Sequence, residues 1–108
     1  MLDVAPDDPR LVRVRLAGTA LDRAGARIRR GEFMADRGSP EEREVAIAVF
    51  RDLRRTRRIN WRRGPSALGY MEHVPELERV ILPLATDGIA VDGFLNLSVF
   101  YFADGSEL

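Results

Sequence analysis

The sequence predicts an α+β domain, an antiparallel sheet covered on one face by helices. Three stretches predict it. Between Glu78 and Phe102 two apolar runs alternate with period two around a polar break at Thr86-Asp87-Gly88, the pattern of two strands joined by a turn. Between Ser39 and Thr56 a helix-start signature precedes apolar residues spaced by four. Between Leu11 and Gly18 apolar and charged residues alternate, as in a half-buried strand.

In chain order, Met1-Leu2-Asp3-Val4 reads as a short strand and Ala5-Pro6-Asp7-Asp8-Pro9 as a turn. In the next strand Val12, Val14 and Leu16 share one face and Arg13 and Arg15 the other, which pairs it as a hairpin with residues 2–4. Thr19 is placed to cap a short helix from Ala20 to Ala24, ended by Gly25. From Ala26 to Met34 no period dominates, and Ile28, Phe33 and Met34 read as inward-facing. Ser39-Pro40-Glu41-Glu42 opens a helix with Ser as N-cap, Pro at the first position and Glu three residues after the cap. Val45, Val49 and Leu53, with Ala46 and Phe50 beside them, give it one apolar stripe to about Thr56. Its arginine-rich end suits the negative pole of the helix dipole. Ile59 to Arg63 reads as a short strand with Ile59 and Trp61 on one face, broken by Gly64-Pro65-Ser66. Residues 67–76, with Tyr70, His73 and Pro75, show little pattern.

The closing hairpin is the longest and most apolar element. Val80, Leu82 and Leu84, with Val91, Leu95, Leu97 and Val99, form rows expected to lie on the core. The alternate rows hold Arg79, Ile81, Pro83 and Ala85, and Phe94, Asn96, Ser98, Phe100 and Phe102. An outward row with three phenylalanines calls for a covering partner. Ile81, Phe94, Asn96, Phe100 and Phe102 are therefore the expected dimer-interface residues. A bulge or a gap in pairing is expected at Pro83, which cannot donate to a ladder.

At 108 residues the chain is one domain, burying roughly 65% of its unfolded surface. No apolar run approaches the ~20 residues of a membrane span, and no signal-peptide pattern opens the chain. Cysteine is absent, which fits a cytoplasmic location and removes disulfide and thiolate chemistry. Net charge is zero, so no global field steers nucleic acid or membrane.

The set Leu16-Ala17-Gly18-Thr19, Gly25 and Gly31 followed by Phe33, Glu78-Arg79-Val80-Ile81-Leu82-Pro83-Leu84 and Asp87-Gly88 resembles the PAS-like sensor domain. More narrowly it resembles a short bacterial PAS family with an LxGT…ER-x-LLPL-xx-DG pattern. The resemblance covers Leu11 to about Val99. It implies a five-stranded sheet in spatial order 2-1-5-4-3, helices over the concave face, and a proline at position 83. Ala26-Arg27-Ile28-Arg29-Arg30 is more basic than the family's usual version. The chain then reads as a single PAS-like domain over 1–108, of the kind excised from a longer protein.

The absence of cysteine excludes the covalent flavin and the cinnamoyl chromophore that some PAS domains carry. Haem needs an axial ligand, and His73, the sole histidine, stands in an irregular segment beside Pro75. One histidine and scattered carboxylates make neither a zinc site nor a catalytic triad. Glu41, Glu42 and Glu44 read as a helix-start cluster. Gly64-Pro65-Ser66-Ala67-Leu68-Gly69 lacks the Gly-Lys-Ser/Thr ending of a phosphate loop. No enzyme motif remains. If the sheet is PAS-like, the helix stripe and the concave face enclose a cavity. Its candidate walls are Leu16, Phe33, Val49, Phe50, Leu53, Trp61, Leu82 and Leu97, with Val14, Leu84 and Leu95. The expected function is a non-enzymatic sensory or regulatory module that dimerises through the outer sheet face, with a small-molecule ligand in that cavity. Two alternatives stand beside it: a ligand-free protein-interaction domain, and a nucleic-acid binder built on the six arginines between Arg54 and Arg63.

Overall fold

A computed structural model describes residues 1–18, 28–65, 76–101 and 106–107. The helix expected from Ala20 to Ala24, the segment holding Tyr70, His73 and Pro75, and Phe102 lie outside the described residues. Five strands form one antiparallel sheet: β1 (Leu2–Val4), β2 (Val12–Val14), β3 (Asn60–Gly64), β4 (Glu76–Leu84) and β5 (Gly93–Tyr101). Their spatial order is β2-β1-β5-β4-β3, the arrangement the PAS-like resemblance implied. Between β2 and β3 come a 3-10 turn, Met34–Arg37, and a helix, α1 (Pro40–Thr56).

The β1–β2 hairpin pairs Leu2 with Val14 and Val4 with Val12, and sets the apolar residues of both strands on one face. Its turn is locked by Asp8. The carboxylate accepts from the backbone N–H of Arg10 at 2.9 Å and from its guanidinium Nε and Nη2 at 3.0 Å. The same guanidinium donates to Asp36 at 2.9 Å and lies 3.7 Å over the Phe33 ring, so the turn is tied to the 3-10 turn. These bonds, the guanidinium's first and the Arg10 N–H next, pull the Asp8 pKa from 3.8 down to about 2. A carboxyl whose pKa is lower in the folded than in the unfolded chain stabilises the fold above its unfolded pKa. That contribution disappears as pH falls through the folded value. Asp8→Asn should therefore lower the melting temperature at neutral pH, and its gap from the parent should close between pH 3.8 and about 2. Thermal melts followed by circular dichroism across that range check this; a gap that persists unchanged in acid contradicts it.

Helix α1 begins as its sequence dictates. The Ser39 hydroxyl accepts from the Glu42 N–H at 3.2 Å, and the Glu42 carboxylate accepts from the Ser39 N–H at 3.4 Å. Pro40 holds the first position, where a missing N–H costs nothing. The helix ends on Arg57, in the left-handed region with φ 58°, whose N–H reaches the Leu53 carbonyl at 2.8 Å. Of the predicted stripe, Phe50 and Leu53 are buried, Ala46 and Val49 half-buried and Val45 exposed.

The β4–β5 hairpin pairs nine residues without interruption, from Glu76 opposite Tyr101 to Leu84 opposite Gly93. In the connecting loop Asp87 accepts from the N–H groups of Ile89 and Ala90 at 2.8 and 2.9 Å, and Gly88 takes a φ of +75°. The break expected at Pro83 is absent: Pro83 pairs in register with Phe94. The pairing of β3 stops at Asn60–Ile81, so one flank of β4 is open there, and an open flank is where a residue with no N–H is tolerated. At Gly93 a Cβ would stand 2.9 Å from the Leu2 carbonyl oxygen; the close approach of β1 to β5 requires glycine.

The two faces of this hairpin are the reverse of the sequence expectation. Phe94 is 0% and Ile81 2% exposed, and Leu77 and Phe100 are buried with them. Phe94 pairs with Leu2, which pairs with Val14, and its ring centroid lies 5.1 Å from that of Phe50. These residues lie on the helix side of the sheet, and Ile81 and Phe94 join Leu53, Val12 and Val91 in the core cluster. Ile81, Phe94 and Phe100 are thus unavailable to an interface. The rows Val80, Leu82 and Leu84, and Leu95, Leu97 and Val99, face away from the helix. The physical reason is the partners each row meets: Phe94 stands beside Leu2, whose row continues to Val14, and against the Phe50 ring, so this row closes the core.

Candidate functional site: a cleft between helix and sheet

Period-two alternation combined with the register lays three cross-strand rows on the helix side of β3, β4 and β5. Asn96, Ile81 and Asn60 form the first, Ser98, Arg79 and Arg62 the second, and Phe100 and Leu77 the third with Gly64. Over these rows stand the first turns of α1 and residues 16–18, 28 and 34–35. A half-open cleft of about 660 Å³ lies between, lined mostly by apolar atoms, a size that suits a small organic ligand.

The polar groups of the cleft are few and placed. Arg79 occupies the middle of β4, half-buried, between Ser98 and Arg62. Among the described residues no hydrogen bond or ion pair reaches its guanidinium. Burial first, and then the neighbouring Arg62 charge, pull its pKa below the ordinary arginine value. Arg62 donates to the Pro65 carbonyl at 2.6 Å. The Ser98 hydroxyl lies 3.5 Å from the Asn96 side-chain oxygen. On the helix wall, Glu42 carries a buried Oε2 with no hydrogen-bond partner among the described residues, beside Glu41 and Arg43. Arg43 gives its Nε–H to the Ala35 carbonyl at 3.1 Å.

Of the expected wall residues, Val14, Leu16, Val49 and Phe50 do line the cleft. Leu16 does so at the rim, 67% exposed, since β2 ends at Val14. Phe33 is buried instead under Arg10 and Arg13 at the flank of β2, and Leu53 belongs to the solid core. Trp61, Leu82, Leu84, Leu95 and Leu97 alternate to the opposite face of the sheet, although Leu95 and Leu97 still border the cleft. Conversely Asn96, expected at an interface, lies on the cleft side. Sequence reasoning missed Arg79, Arg62 and Ser98 as a set. The available signal was an arginine at mid-strand, in an apolar run, with no acidic residue in its own row.

The opposite face is apolar and, among the described residues, uncovered. Trp61 is 63% and Leu97 53% exposed, and Val80, Leu82, Leu95 and Val99 lie half-buried around them. At one end Glu78 accepts from the Trp61 indole N–H at 2.9 Å and from the Tyr101 hydroxyl at 3.2 Å. Arg63 stacks 4.7 Å from the Tyr101 ring and pairs with Glu76 at 2.9 Å. The cations of the Arg54–Arg63 run do not converge. Arg55 pairs with Asp52 on the helix, Arg57 and Arg58 follow its end, and Arg62 and Arg63 project to opposite sheet faces.

Among the described residues no three His, Cys, Asp or Glu side chains gather as a metal site, and no helix is long and apolar enough to cross a membrane. Compared with known proteins, the chain matches no family model, no curated protein and no solved structure.

Proposed function

We propose that this chain is a non-enzymatic, PAS-like regulatory module of the cytoplasm that pairs with a second copy through the bare sheet face and holds a small molecule in the cleft on the other. One observation carries the reading: the β4–β5 ladder is largely apolar on both sides, and among the described residues a helix and a cleft lie over one side and no element over the other. A contiguous exposed apolar patch is a recognition surface in soluble proteins. A second copy suits it because its charged border is already neutralised, by Arg63 with Glu76 and by Arg15 with Asp3. Two such faces meet without net repulsion. Coupling between the faces is short-range. Arg79 and Val80 are consecutive residues on opposite sides, as are Asn96 and Leu97, so a twist of the ladder caused by a ligand alters the packing of the mate.

Sizing chromatography with light scattering at high micromolar concentration tests this. The parent protein is expected as a dimer and Leu97→Glu as a folded monomer, because each copy would bring a charge into the centre of the apolar contact. A parent protein that runs as a monomer at that concentration defeats the proposal.

A further inference from the structure

We infer that the cleft recognises a carboxylate carried on an apolar body, with Arg79 taking the carboxylate; the inference rests on reading the cleft as a ligand site. Buried charges in proteins are paired, yet the Arg79 guanidinium is half-buried beside a second cation with no acceptor from the described residues. It remains charged at neutral pH, since arginine does not deprotonate in proteins, so its environment is short of one negative charge. Its depressed pKa expresses the same deficit. The planar fork of a guanidinium matches a carboxylate with two parallel bonds, and the Ser98 hydroxyl in the same row offers a further donor. Beyond that row the floor is Ile81 on one side and Leu77 and Phe100 on the other, a surface for hydrocarbon.

The helix wall limits the charge of the ligand. Glu41 and Glu42 line the same cleft as Arg43, Arg62 and Arg79, a net of one positive charge, so a dianion such as a phosphate monoester would leave the cleft overcharged. One negative charge on a hydrocarbon skeleton satisfies the floor without overloading the wall.

Titration calorimetry of the 108-residue protein with matched acids and alcohols tests this, using octanoate against 1-octanol and 2-naphthoate against 2-naphthol. At least one acid should bind about 10- to 100-fold more tightly than its alcohol, the range for a hydrogen bond to a charged group. Arg79→Met, which keeps the apolar stem, should erase that preference while leaving the alcohol's affinity unchanged, and Arg79→Lys should retain part of it. Should Arg79→Met fail the circular-dichroism check for folding, the acid-to-alcohol ratio in the parent, the Arg79→Lys variant and amide NMR shifts still decide. Shifts centred on Arg79 and Ser98 support the assignment, whereas shifts centred on Trp61 and Leu82 overturn it. Equal affinity of acid and alcohol overturns the carboxylate and leaves the cleft as a ligand site; no binding of any of the four overturns both.

Discussion

Phe94→Ala should lower the stability of the domain by about 3–5 kcal/mol, read as a fall in the urea midpoint at unchanged slope. No residue of the sheet is better enclosed. Phe94 is 0% exposed, with Leu2 and Pro83 beside it in the sheet and the Phe50 ring tilted over it at 5.1 Å. Truncation removes a ring's worth of buried apolar surface, and its neighbours, held by two strands and a helix, can collapse only partly into the space. Since small domains are stable by about 5–15 kcal/mol, the loss is a large share of the total. Leu97→Ala, on the same strand and 53% exposed, should cost less than about 1 kcal/mol in the monomer. Equal losses at the two positions would contradict the face assignment.

Val12→Asp should cost about 4 kcal/mol or more, leaving little folded protein at room temperature. Val12 is nearly inaccessible, and it sits in the core cluster with Leu53 of α1 and its partner Val4 packed against that cluster. A carboxylate there either stays ionised without a partner or binds a proton at neutral pH, and both states are far above the valine they replace. The same change at Arg13, one residue on and exposed, leaves the core intact and removes only a cation from the Phe33 ring. Circular dichroism and urea titration of the two variants measure the contrast.

What was legible in the sequence was local. The capping box at Ser39 and Glu42, the β1–β2 hairpin and the long β4–β5 hairpin each follow from residues close to one another in sequence, and all three are present. The side of the hairpin that faces the helix was not legible, because both rows are apolar and either would serve a core. The decision is made by distant partners: Leu2 beside Phe94, and Phe50 above it. The same reversal carries Trp61 and Leu97 to the open face and brings Asn96 into the cleft. Arg62 was read within a cationic run and Arg79 within an outward row; only the register of β3 on β4 makes them neighbours. Asn96 and Ser98, in the alternate row, pointed to an interface, where the structure gives them a cleft.

The position of Trp61 has one more consequence. It is the sole tryptophan of the sequence, and it stands on the face turned away from the cleft, its indole nitrogen tethered to Glu78. Its emission should move to shorter wavelength when a mate settles over it, and should hold steady while the cleft fills in a chain kept monomeric. The molecule thus carries an intrinsic fluorophore that separates association from loading, and a simple dilution series followed by its colour reports on the first event alone.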